Sequence, residues 1–245
     1  MKKIFKVLLV VAMMIVFVGC GSKNKSQKDI EEALAQKDYY VQRLPSFSET
    51  SDVSMSLILQ SEGDSKGMVS AAFDSDKSLL FAFYGEGTEM YFVAGDEKYA
   101  EVIGDDLKDE YDSWLKDVDL TSENVIDYLT AICKEVRTPE QIAECIEDCH
   151  FEYSFEPMAD SERNLYLESS KGYFSNANFD EEGNIERFIF ASSIASTADK
   201  LFVYQNGKVT KSDGVNSYLF FLQSYNISHE EFMNYLQDYY QTNKK

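Results

Sequence analysis

The chain has 245 residues, with 23 basic against 43 acidic side chains, two histidines and a formal net charge of −20. That balance repels nucleic acid and anionic lipid headgroups, and no basic, aromatic-lined groove is written anywhere in it, so nucleic acid is not an expected partner. Hydrophobic residues at 44% and aromatic ones at 14% exclude a mostly disordered chain and supply a sizeable core.

In chain order, Lys2, Lys3 and Lys6 come first and flank the start of an unbroken apolar run from Val7 to Val18. At about 1.5 Å per residue this run covers roughly 18 Å, short of the roughly 30 Å core of a bilayer, so it reads as the apolar part of an export signal and not as a spanning helix. It ends in Phe17-Val18-Gly19-Cys20, which resembles the lipobox of bacterial lipoproteins, with Phe17 where that family usually has Leu. The resemblance implies removal of residues 1–19, an acyl lipid such as palmitate on Cys20, and a place on the extracytoplasmic side of the cell membrane. Ordinary secretion with an incidental Cys20 is the alternative. Residues 20–25 then form the lipidated cysteine and a polar tether. Without residues 1–19 the chain carries 20 basic and 43 acidic groups, a net charge near −23.

A helix is predicted at about 27–40. Strand-like runs follow in "VSMSLILQ", "GMVSAAFD", "SLLFAFYG", "EMYFVAG" and "KYAEVIG", whose alternation suits half-buried antiparallel strands. Leu107, Tyr111, Trp114, Leu115 and Val118 then form the apolar stripe of an amphipathic helix, and Thr121 stands where it would cap a second.

The same text returns. Ser65-Lys66-Gly67 recurs as Ser170-Lys171-Gly172 at an offset of 105, and Phe73-Asp74 as Phe179-Asp180 at 106. "DLTSENVIDYL" from Asp119 recurs as "NISHEEFMNYL" from Asn226 at 107, with Ser228 and Glu231 as a capping box, and "SQKDIEEAL" from Ser26 as "TPEQIAECI" from Thr138 at 112. Four collinear matches predict a duplicated α+β unit, helix, about five antiparallel strands, two helices, spanning 26–137 and 138–245. Gly67 and Gly172 are expected to make turns, with Phe73 and Phe179 anchoring strand ends. The two sheets either join as one curved sheet with helices on one face or stay separate; the short link "KEVRTPEQ" favours one compact body.

A curved antiparallel sheet half-closed over helices, behind a lipoprotein signal, resembles the LolA and LppX group of lipoprotein and lipid carriers. That resemblance implies a greasy cavity between sheet and helices, lined by Phe81, Phe83, Tyr91 and Phe92; packed core is the other reading of these rings.

Chemistry is sparsely marked. Cys133, Cys145 and Cys149 lie in one stretch beside His150, which suits a disulfide from Cys133 to Cys145 or Cys149 in an exported protein, free buried thiols, or a three-cysteine, one-histidine zinc site. His229 is expected to be exposed in the first turn of the last helix. "DSDKS" at 74–78 and "DEEGN" at 180–184 read as solvated hairpin turns, since neither has the spacing of a calcium loop. No nucleophile elbow, zinc-protease or phosphate-loop motif occurs. The expectation is therefore a lipid-anchored binding or interaction protein without a cofactor, holding a hydrophobic small molecule or a protein partner. A carbohydrate hydrolase working through paired carboxylates and an assembly factor of a membrane complex are the alternatives.

Overall fold

The computed structural model describes residues 25–47, 51–61, 64–86, 89–154, 163–193 and 201–243; the stretch expected to be an export signal and Cys20, where lipidation is expected, lie outside them. The first unit opens with α1 (Gln27–Ala35), capped by Ser26, whose hydroxyl accepts from the Asp29 amide while the Asp29 carboxylate accepts from Ser26 N–H. Asp38 then takes a left-handed conformation (φ 59°), and this ends the helix short of residue 40.

Strands β1 (Tyr39–Pro45), β2 (Met55–Ser61), β3 (Asp64–Phe73), β4 (Leu79–Glu86) and β5 (Glu89–Gly95) form an antiparallel meander in sequence order. Two elements depart from expectation. β1 hides because its inward face, Val41, Arg43 and Pro45, includes an arginine, and "KYAEVIG" is helical. Asp96 accepts from the Lys98 amide and starts a 3-10 turn (Glu97–Tyr99) that runs into α2 (Ala100–Ile103). Then come α3 (Lys108–Asp117) and α4 (Ser122–Lys134).

The second unit repeats the order: α5 (Pro139–Cys145), then β6 (Cys149–Ser154), β7 (Asn164–Ser169), β8 (Tyr173–Phe179), β9 (Ile185–Ser192), β10 (Phe202–Gln205) and β11 (Lys208–Lys211), then α6 (Val215–Ser224) and α7 (His229–Asn243). Its six strands are again an antiparallel meander, closed by a hairpin in which Asn206 and Gly207 both take positive φ, as a tight primed turn requires. The fold is α+β with two separate sheets, one per unit.

The internal repeat is visible bond by bond. Phe73 and Phe179 are both buried, and each follows a register shift in its strand pairing. The turns after them close alike, Asp74 N–H to Ser78 O and Asp180 N–H to Asn184 O, with positive φ at Lys77 and Gly183, 106 residues apart. The aspartates serve these turns: Asp74 Oδ1 accepts from the amides of Asp76 and Ser78, and Asp180 Oδ1 from that of Asn184. Further on, Leu120 N–H bonds Leu115 O as Ile227 N–H bonds Leu222 O, with left-handed Asp119 and Asn226 between the helices. Gly172 does make a turn (φ 77°), whereas Gly67 falls inside β3, because β2 ends at Ser61 and β3 has begun at Asp64.

Each unit has its own core on one face of its sheet. In the first, Leu57, Leu59, Val69, Phe73 and Ala82 meet Tyr111, Trp114, Val125 and Leu129; in the second, Leu165, Leu167, Phe179, Phe188 and Phe190 meet Tyr218, Phe221 and Phe232. The units interlock at β1, which packs along α6. Edge strands leave unpaired amides and carbonyls. Here Asn226 fills them: its Oδ1 accepts from Arg43 N–H at 2.9 Å and its Nδ2 donates to Val41 O at 3.1 Å. Just beyond β1, Phe47 enters the second core, 5.3 Å from the Phe202 ring and 5.8 Å from Tyr218.

Candidate functional site

A pocket of about 510 Å³ opens where the units meet. Its walls come from the end of β1 and the start of β2, the β3–β4 turn, the link after α4, β10, and the first turn of α7. Strand pairing explains its polar floor. Arg43 stands opposite Leu57 on the helix-facing side of the first sheet, so a side chain that is only 8% exposed carries its guanidinium towards the second unit.

Glu231 meets it there. As the third residue of α7, it accepts from Ser228 N–H at 2.8 Å in the expected capping box. The same carboxylate takes three bonds from Arg137, Nε to Oε1 and Nη2 to Oε2, both at 2.9 Å, and backbone N–H to Oε1 at 3.2 Å, and stands 3.5 Å from Arg43 Nη1. Burial alone would raise this acid, but the bonds from Arg137, the Arg43 charge and the Ser228 amide outweigh it and hold the carboxyl down at about 2. Glu231 therefore has no proton to donate near neutral pH. Arg43 is completed by Ile132 O at 3.3 Å and by Glu135 at 3.4 Å.

His229 is not exposed, contrary to the expectation from its helix position. Its ring is enclosed edge-to-face by Phe47 (5.1 Å) and Tyr204 (4.6 Å), and burial pushes its pKa down to about 4. The Tyr218 hydroxyl lies 2.8 Å from Nδ1. A fully buried hydroxyl that only accepted there would leave its own proton unmet, so the satisfied arrangement has Tyr218 donating to Nδ1. The imidazole proton then sits on Nε2, which is buried with no hydrogen-bond partner among the described residues. In the first unit the equivalent of His229 is Ser122, which meets the equivalent hydroxyl, Tyr111, at 2.9 Å, and neither oxygen is buried without a partner among the described residues. Around His229 the pocket offers Phe47, Met55, Leu57 and Val136, with Lys77 paired to Glu230 at 3.1 Å.

The three described cysteines are free thiols. Cys133 borders the pocket from within the first core, Cys149 lies in the second, and Cys145 receives a contact from Arg137 Nη1 at 3.3 Å. The expected bridge from Cys133 is not formed, because the two units keep separate cores and Cys133 and Cys149 belong to different ones. Burial pushes both of those thiols up. No group of three His, Cys, Asp or Glu side chains suited to a metal comes together among the described residues. His150 follows Cys149 on a strand, so the two point to opposite faces, one exposed and the other buried.

The aromatic residues assigned to a greasy cavity divide in the same way. Ala82 and Tyr84 face the core, so Phe81 and Phe83 between and beside them project from the other side of the sheet, with Phe92 opposite Phe83. Tyr91 alone packs on the helix side, 5.4 Å from Tyr111. The space between sheet and helices is filled by packed side chains, and the pocket lies at the junction of the units instead.

Compared with family models, with curated proteins and with solved structures, the chain matches none.

Proposed function

We propose that the chain is a lipid-anchored, extracytoplasmic binding protein that holds a small, largely apolar molecule with one hydrogen-bond-accepting oxygen in the junction pocket. The observation that carries the site is His229, a neutral donor on an apolar wall, left without a partner where the other unit spends the same position on an internal bond. Leaving a buried donor unmet costs about 1–3 kcal/mol, which a ligand oxygen would recover. The anchor rests on Phe17-Val18-Gly19-Cys20 and the apolar run before it. Neither part requires a reaction.

Residues 21–245 contain every described element and suit the ligand test. N-phenyl-1-naphthylamine, a neutral apolar dye, is expected to bind at one site per chain, and Val136→Trp at the pocket mouth to weaken it by about tenfold or more. Val136 is 45% exposed, so the larger ring should leave the fold intact. Native mass spectrometry of protein taken from its own cells should show an added small-molecule mass. Dye uptake indifferent to Val136→Trp, with no added mass, would remove the pocket from consideration. The anchor is tested separately: labelling with an alkynyl palmitate should mark the full chain and be lost in Cys20→Ala.

A further inference from the structure

The second sheet turns its open face, the one away from its helices, into a shallow slot of about 350 Å³ that shares no residue with the junction pocket. Tyr166 on β7 and Phe174 on β8 stand on it with 37% and 38% of their surfaces exposed. Between them on the floor is Asn176, paired across the ladder with Tyr166 on one side and Ile189 on the other. His150 and Glu168, also paired, close one rim.

Asn176 Oδ1 is buried and has no hydrogen-bond partner among the described residues. The strand ladder does not require an amide there. At the equivalent place in the first sheet stands Ser70, with Ile58 opposite it in place of Tyr166. The second unit has thus put an unmet acceptor at the base of a slot with two large rings beside it, where its sister unit has Ser70 and Ile58 and carries its open-face rings, Phe81, Phe83 and Phe92, on β4 and β5.

We propose that this slot binds a neutral pyranose sugar. A pyranose offers a face of weakly positive C–H groups that lies well on the negative face of an aromatic ring, and hydroxyl donors around its edge. Tyr166 and Phe174 supply the rings; Asn176 Oδ1 and the Glu168 carboxylate supply acceptors for the hydroxyls. An alkyl chain would cover the rings but leave Oδ1 unmet. An acidic sugar or a phosphate would approach a chain of net charge −20. The volume falls within the roughly 300–1,000 Å³ of small-ligand sites. The site binds without reacting, and it stands independently of the junction pocket.

The test uses residues 21–245 with two neutral probes, chitotriose and maltotriose, by calorimetry and saturation-transfer NMR. At least one is expected to bind at one site per chain. Tyr166→Ala and Phe174→Ala should each weaken that binding by about tenfold or more, while Phe220→Ala, which removes an exposed ring on α6, should not. Because the two slot rings are half-exposed, each variant should melt within about 4 °C of the parent. Asn176→Ala should weaken the sugar and, by removing an unmet acceptor, leave the melting temperature level or raise it. Failure of both trisaccharides to bind, or binding that survives Tyr166→Ala and Phe174→Ala in folded protein, overturns the proposal.

Discussion

Replacing Glu231 with Ala is expected to lower the free energy of unfolding by about 3–5 kcal/mol, read as a fall in the urea midpoint at an unchanged slope. The carboxylate is 2% exposed and serves two guanidinium groups from different parts of the chain, Arg43 on β1 and Arg137 in the link between units. Its removal strands both charges in a place that water reaches poorly. Arg137 would keep only the Asn226 carbonyl and the Cys145 sulfur, and Arg43 only Ile132 O and the half-exposed Glu135. Glu231→Gln can still accept from Ser228 N–H and should cost less, because it keeps the helix cap and loses only the charge. The contrast is Asp112→Ala, which breaks the exposed Lys108 pair and should leave the urea midpoint nearly unchanged. Equal losses in Glu231→Ala and Asp112→Ala would mean that the buried network does not hold the units together.

The architecture was legible in the sequence because the repeat writes its turns and caps in the same residues twice. Phe73-Asp74 and Phe179-Asp180, or Thr121 and Ser228, do the same local work in both copies, and local work is what short sequence patterns record. β1 was lost because sequence patterns treat an inward-facing charge as a break. Arg43 sits on the buried side only because Glu231 is there to meet it, and that partner lies 188 residues away. The two proposed binding surfaces went unread for the same reason. A signal was nevertheless present in the differences between copies: Ser122 against His229, Asn124 against Glu231, and Ser70 against Asn176. Each exchange puts a larger or charged group into the second unit at a position whose first-unit occupant is locally satisfied or small. The cysteines, also confined to the second unit and the end of the first, drew attention by their type; in the structure they are buried apolar groups and the contact of an arginine.

His229 should make the protein lose stability on mild acidification, by about 3 kcal/mol between pH 6.5 and 4. Burial depresses the folded-state pKa from 6.5 to about 4, so within that window the unfolded chain binds a proton that the folded chain refuses. Stability is therefore full above about pH 6.5 and falls as the pH drops towards 4. Glu231 adds a second loss lower down. Its folded pKa is held at about 2 against an ordinary 4.5, so its contribution is intact above 4.5 and disappears as the pH falls through 2. The interval between about 6.5 and 4.5 thus belongs to the histidine. His229→Ser, which copies Ser122 of the first unit and can still meet the Tyr218 hydroxyl, should flatten urea midpoints across that interval while leaving the steeper decline below it. The opposing Glu231→Gln variant should keep the upper slope and lose part of the lower one. The apolar dye needs the pocket wall to stay uncharged, so its binding in the junction pocket should hold to about pH 5 and fail below it as the imidazole takes up a proton and the fold weakens. Parallel midpoint curves for the parent and His229→Ser would show that the imidazole is open to water, and with that the donor on which the junction site depends would be gone.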